Sequence, residues 1–541
     1  MRSTRAALLC CALAGLALGP ACRSSDSAPA PAGSAAAAPL PAPERPAELV
    51  GVGSLAPASS FWPQLREALH PRDPSLPRSW GAALCAAAGL PITAAELFED
   101  DRGSKLALAR SESGASELVW AVPVRAVDRL LVVASSGRDA RFDRVPEGRL
   151  ELLRPRHPPA GRAPALGVSG NFLLLSTSEH ALRLAGPWLV DPSTPALELG
   201  PSEWLRLELP ADLRLAATDA RAAPLLGLLG ELPLGALPSV GELVGSTRPT
   251  LSVSGHALGW TLRLSGASAS RPSEGASSGV REALLELPAE LSAAVVVHAD
   301  EAARLEQARH ARAALESLAS ARGLEPFTEL EALERLAEAR GALGWVGYEL
   351  SPVGPLAYGR LELRDPAAAL AALDALFGVR KATARAPVRA RRRQEPSPAD
   401  SARASRMMRK TVLERVGEVY ELRLRPADTP APPTRLYARI EAGNLWVGVG
   451  GDAAQALERV RRADPPRLAG LAWPSSAVRL LPPDAQAAGF VGLASEERTS
   501  TALATTARPL LFAVDGPANG RSLTAILPPE TLAGLVAAWR R

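Results

Sequence analysis

The sequence predicts an α+β protein of two tandem homologous domains, each a mainly antiparallel sheet with interspersed helices. Three observations predict this. Five segments recur in order along the chain, the kind of self-similarity that marks duplicated units. Apolar and polar residues alternate with period two around Gly-Asn pairs, as in antiparallel hairpins. Stretches rich in Ala, Leu, Glu and Arg interrupt the hairpins without a strict strand–helix–strand rhythm, so a doubly wound parallel sheet fits less well.

The N-terminus carries an address. Two arginines within residues 1–5 precede a 13-residue apolar stretch, 6–18, and Gly19-Pro20-Ala21 leads to Cys22. A positive start, a short apolar run and a small-residue cleavage site make an export signal, and 13 residues are too few to span a bilayer. Residues 16–22 resemble the lipobox of bacterial lipoproteins. That resemblance implies a signal peptide over 1–22, with Cys22 acylated and left as the mature N-terminus. The alternative is ordinary cleavage after Ala21, releasing a soluble periplasmic or secreted protein. Residues 23–45 alternate Ser, Ala and Pro with almost nothing to bury, so they read as a disordered tether. At about 3.1 Å per residue, a Pro-rich tether of this length reaches ~70 Å.

Composition narrows the rest. The chain is 47% hydrophobic with a mean hydropathy of +0.03, enough apolar material for two or more cores. Beyond Cys22 the only cysteine is Cys85, which leaves no partner for an intramolecular disulfide and reads as a small buried residue. The pI of 9.1 is misleading. Only Lys105, Lys381 and Lys410 are lysines, against 58 arginines, a bias that suggests a GC-rich genome. The stretch 380–410 holds 11 basic residues and two acids, a net of +9, so the remainder of the +4 chain sums to −5. Nucleic acid is therefore not an expected partner. The basic stretch is expected to be a disordered loop between a helix and a strand, with anionic envelope surfaces as its partner.

The repeats set the domain boundaries. PAEL at 46–49 returns at 288–291, and 118–126 has its counterpart at 357–365. RVPEGRLELLRP (144–155) and RVGEVYELRLRP (415–426) agree at six of twelve positions. Gly170-Asn171 is matched with Gly443-Asn444, and 248–264 with 508–527. Offsets of 242, 239, 271, 273 and 260 residues keep the order, with one insertion at 380–410. The expected domains are 46–265 and 281–541, joined by a Ser/Gly linker over 266–280. Within the second, 300–322 reads as a helix, and Thr328-Glu-Leu-Glu331 as a capping box turning Leu330, Leu333 and Leu336 inward. The layout resembles a family of duplicated α+β envelope proteins of unknown function, which brings no catalytic residues with it.

Motifs that suggest chemistry have plainer readings. Gly275-Ala-Ser277-Ser-Gly279 fits a nucleophile elbow, but it lies in the linker with no strand before it. Gly51-Val-Gly53 and Gly448-Val-Gly450 fit a relaxed dinucleotide loop, yet the matching segments of the other copy hold no glycine, so tight turns explain them better. The histidines (His70, His157, His180, His256, His298, His310) show no metal-binding spacing. Helix capping accounts for Asp300 and Glu301 beside His298, and the run Glu99 to Arg102 reads as a solvated loop. Ten tryptophans are expected mostly in the core, with a subset able to line a concave sheet face.

No catalytic residue, metal ligand or cofactor is therefore expected, and lipidation of Cys22 is the single expected site. The expected function is a non-catalytic, membrane-tethered envelope lipoprotein that binds or scaffolds a protein partner the sequence does not specify. Ser24, two places after Cys22, favours the outer membrane by analogy. The alternatives are a periplasmic carrier of a lipid or other apolar ligand, and an envelope hydrolase whose site converges from distant positions.

Overall fold

The computed structural model describes residues 45–70, 74–111, 114, 116–136, 140–157, 164–194, 196–213, 244, 246–266, 279–302, scattered positions between 304 and 313, 331–351, 354–376, 409–416, 419–425, 434–450, 454, 455, 458, 467–492, 508–515 and 522–529. The signal, Cys22, the tether before Arg45, most of the linker and the basic stretch before Arg409 lie outside the described residues.

The first ten strands are β1 (Leu49–Leu55), β2 (Ser104–Arg110), β3 (Ser116–Pro123), β4 (Phe142–Glu147), β5 (Leu150–Pro155), β6 (Ala165–Ser169), β7 (Phe172–Ser176), β8 (Glu203–Glu208), β9 (Thr250–His256) and β10 (Gly259–Ser265). They pair antiparallel in the order β4-β5-β6-β7-β3-β2-β1-β8-β9-β10. The next ten are β11 (Ala293–His298), β12 (Arg340–Ser351), β13 (Gly354–Leu363), β14 (Arg409–Val416), β15 (Val419–Arg425), β16 (Thr434–Glu441), β17 (Asn444–Val449), β18 (Ala487–Val491), β19 (Leu510–Asp515) and β20 (Ser522–Leu527). The order of those in the second unit, β14-β15-β16-β17-β13-β12-β11-β18-β19, repeats the first as far as β9, step for step.

The pairing nevertheless overturns the expectation of an α+β fold of two tandem homologous domains, each a mainly antiparallel sheet with interspersed helices. The strands pair antiparallel throughout, so the fold is dominated by sheet, and the units are not tandem segments of the chain. The last strand, β20, pairs with β10 over six positions, from Trp260↔Leu527 to Ser265↔Ser522. The two compact units follow that pairing: Met1–Ser273 with Gly516–Arg541, and Glu274–Asp515. The physical reason is the free edge that β10 would otherwise present, a row of N–H and C=O groups that β20 satisfies.

The matched segments fall on corresponding strands, with one change of register. In both PAEL turns the leucine N–H donates to the proline C=O, Leu49 to Pro46 at 3.1 Å and Leu291 to Pro288 at 3.4 Å. Val124 donates to Asn171 O and Leu363 to Gly443 O, both at 2.9 Å. The turn Gly170-Asn171 therefore corresponds to Ala442-Gly443, one residue earlier than the shared Gly-Asn letters suggest. Gly170 (φ 52), Ala442 (φ 48) and Gly443 (φ 74) all take the left-handed conformation that these tight hairpins need. The two halves reach it with different residues, and that displaces the letters.

In the first unit both faces of the sheet are covered. Helices α1 (Ala58–Leu69), α2 (Trp80–Ala88) and α3 (Val127–Ser135) lie on one face, over Leu106, Trp120, Val122, Leu173 and Leu175. Helix α4 (Glu179–Leu189) packs Ala181, Leu182 and Ala185 on the other, against Ala107, Ala121, Leu152 and Leu174. With both faces dry, β7 is buried at every position and loses the period-two pattern expected of it. Local signals set the helix ends. Ser79 and Ser178 cap α2 and α4 by accepting from the N–H of Ala82 and Ala181, and Gly89 at φ 68 closes α2.

The second unit holds α5 (Val280–Leu285), α6 (Glu331–Ala339), α7 (Pro366–Leu376) and α8 (Ala472–Ala477). Leu373 of α7 and Leu336 of α6 pack on Leu445, Ala438 and Leu361. Leu336 packs inward as expected, but Ala332, Ala337 and Ala339 are the buried residues of α6 and Leu333 is only half-buried. Leu330 lies outside the described residues. The chain from α7 to β14 covers 377–408, where the first unit needs only 136–141 between α3 and β4. The basic stretch therefore runs from a helix into a strand.

Candidate functional site

Most residues singled out from the sequence are committed to holding the fold. Gly51 and Gly53 lie in β1, where β8 crosses closely. A Cβ on Gly51 would stand 2.2 Å from the Glu208 carbonyl oxygen, and one on Gly53 2.8 Å from that of Arg206. These glycines make room for a neighbouring strand. Gly448 sits within β17, paired with Tyr358 and Tyr437, and the turn after Gly450 lies outside the described residues. Of the elbow-like pentapeptide only Gly279 is described, at φ 71, where it opens α5 and accepts from the Ala283 N–H at 3.0 Å.

The titratable groups are similarly employed. His298 ends β11 with its N–H on Gln486 O at 2.7 Å. Asp300 O accepts from the Arg304 N–H at 3.0 Å, and Glu301 pairs with Arg364 at 2.8 Å. Glu99 meets Arg102 at 3.7 Å, while burial raises the Asp100 carboxyl above its ordinary value. Cys85 is buried in α2, and desolvation pushes its thiol up to about 12, where it is no nucleophile at neutral pH. The Arg154 guanidinium holds Glu179 below the usual carboxylate range, and Arg183 ties Glu179 to Glu147.

His256 is bonded through both ring nitrogens. The Leu258 N–H donates to Nδ1 at 3.3 Å, so Nε2 carries the proton and donates to Thr261 Oγ1 at 2.9 Å across the β9–β10 hairpin. Burial lowers its pKa. The unfolded chain therefore takes up the proton first. His256 costs the fold nothing above about pH 6.5 and progressively more as the pH falls below it. In denaturant titrations at pH 7.5 and pH 5, His256→Gln is expected to lose less stability on acidification than the parent. Equal losses would refute this assignment.

A concavity of the first unit lies on α1. It is open to solvent, has a volume of about 630 Å³ and is lined by Trp62, Pro63, Arg66, Glu67, His70 and Arg78. The helical repeat produces the strip: Trp62, Arg66 and His70 follow one another at i, i+4 and i+8 on one face. Trp62 is buried and donates its Nε1–H to Arg78 O at 3.0 Å, which holds the far wall against the helix. The Arg66 Nε–H is buried and has no hydrogen-bond partner. Among the described residues neither Arg66 nor Arg78 is in an ion pair. By contrast Arg110, Arg144, Arg149, Arg154, Arg156, Arg183 and Arg206 of the same unit each meet a carboxylate. Sequence reading missed this strip, although the four-residue spacing of a tryptophan, an arginine and a histidine was there to find.

The corresponding strands of the two units carry different side chains. Trp345, Arg360, Trp446 and Arg439 lie directly opposite one another across β12, β13, β17 and β16. The Trp345 ring meets Tyr358 at 6.0 Å and Trp446 at 6.4 Å, both edge-on. Glu458 holds Arg439 at 2.9 Å. The matching row in the first unit is Lys105, Ala121, Leu174 and Gly167. There α4 comes close enough that a Cβ on Gly186 would stand 2.7 Å from Leu174. Equal strand order has not preserved an equal surface. Set against family models, curated proteins and solved structures, the chain finds no match.

Proposed function

We propose that this chain is a non-catalytic binding or scaffolding protein of the cell envelope, held at a membrane by acylated Cys22 and facing the periplasm. The observation that carries the reading is the use made of the reactive side chains. Cys85, His256, Glu179 and Asp191 each serve packing or cross-linking between elements, while Arg66 and Arg78 stand unpaired at an open concavity. That arrangement suits contact with a polar partner better than enclosure of an acyl chain. The export signal, Cys22 and the Pro-rich tether support placement at the membrane. Three acyl chains would hold the protein firmly, since each buried methylene adds about 0.8 kcal/mol and one chain alone is marginal. In fractionated cells the parent is expected in the membrane pellet and Cys22→Ala in the soluble fraction. Equal partition of the two would overturn the lipoprotein reading.

A further inference from the structure

We propose that the concavity over α1 is an oxyanion site for a phosphate group, with Arg66 and Arg78 as its ligands. The inference rests on the reading of the chain as a binding protein and names what that surface takes. Charge makes the first argument. Arg144, Arg154 and Arg183 of this unit each grip a carboxylate through two nitrogens, whereas Arg66 and Arg78, neither of them in an ion pair among the described residues, line one concavity. Unmet hydrogen bonding makes the second. The Arg66 Nε–H is shut off from water with no acceptor, and a buried donor left unsatisfied is costly. An incoming oxygen would supply the missing acceptor. Geometry makes the third. Arginine presents a planar fork that suits a tetrahedral oxyanion. The Arg78 backbone is held beside α1, which carries Arg66, because its carbonyl accepts from the buried Trp62 ring. Pro63 and the Trp62 edge supply an apolar wall for whatever carries the phosphate. Glu67 lies on the same rim, so the site favours a ligand that offers a hydroxyl or ammonium group beside its phosphate.

Two sources share this chemistry, free phosphate compounds and phospholipid headgroups, and the test separates them. The mature full-length protein in detergent is titrated calorimetrically with inorganic phosphate. Its Cys22→Ala form, which lacks the acyl chains, is assayed without detergent for flotation with phosphatidylcholine vesicles with and without phosphatidic acid, at low and high salt. Saturable phosphate binding is expected in the parent, at least about tenfold weaker in Arg66→Gln and in Arg78→Gln. Arg479→Gln, an equal loss of charge at an exposed position of the other unit, is expected to bind as the parent does. Flotation that needs phosphatidic acid and falls in the same two variants assigns the headgroup as source, and phosphate binding without such flotation assigns a free phosphate compound. Arg78 is exposed, so Arg78→Gln keeps the test sound should Arg66→Gln misfold. Phosphate binding that is absent, or unchanged in Arg78→Gln, overturns the site. Failure here while Cys22→Ala still leaves the membrane would remove the phosphate assignment alone.

Discussion

Replacing Trp80 with alanine is expected to cost the fold about 3–5 kcal/mol, the range for removing a large buried aromatic side chain. Trp80 is 4% exposed and is the first residue of α2. Its ring touches Phe61 of α1 at 5.4 Å edge-on, Trp62 of α1 at 5.2 Å and Trp120 of β3 at 5.5 Å. One side chain thus joins two helices to the middle of the sheet. Edge-to-face and tilted pairs add to what burial of area provides. Through Phe61 the contacts continue to Trp204 and on to Trp260 at 6.0 and 6.5 Å, so the cavity would open at the junction of a connected cluster. Urea denaturation followed by far-ultraviolet circular dichroism measures the loss without depending on the fluorescence of the deleted ring. A change below about 1 kcal/mol would mean that α2 does not anchor this face.

Gly51→Val is expected to be comparably damaging, by about 3 kcal/mol or more, for the opposite reason. The new Cβ would stand 2.2 Å from the Glu208 carbonyl oxygen and 3.1 Å from its carbon. Those are backbone atoms and cannot rotate aside. Relief requires β8 to part from β1, with loss of the Gly53↔Leu207, Ser54↔Arg206 and Leu55↔Leu205 pairs. Gly470→Ala is the control, because nothing lies within 4 Å of the place its Cβ would take and its φ is ordinary. It is expected to change stability by less than about 0.5 kcal/mol. The measurement also separates the two readings of Gly51-Val-Gly53. A phosphate-cradling loop would lose ligand and keep its stability, whereas a strand crossing loses stability. Retained stability in Gly51→Val would reopen the nucleotide reading.

Local features of this protein were legible wherever neighbouring residues decide them. The recurrence of PAEL and the hairpin at Gly170-Asn171 each depend on a few adjacent residues, and the letters carry that information. The pairing of Gly443 with Gly170 went wrong by one residue because a two-residue turn constrains φ and leaves the residue type open. Ala442 meets the constraint at φ 48 where the first unit uses glycine. Burial of β7 on both faces was hidden too, since alternation reports a half-buried strand and a strand between two helical layers has no wet side to report.

The sequence by itself determined the Cys85 environment, the hairpin units and the segments that recur along the chain, because each follows from composition or from contacts between near neighbours. Tertiary structure alone decided that β20, near the end of the chain, completes the edge of β10 in the first unit. It also decided that Gly51 and Gly53 serve a strand crossing, and that Trp62, Arg66 and Arg78 meet at one concavity. These are pairings between residues from 12 to more than 250 positions apart. They are set by which edge has unsatisfied hydrogen bonds and which face needs cover, and neither quantity is written in any local stretch of the chain.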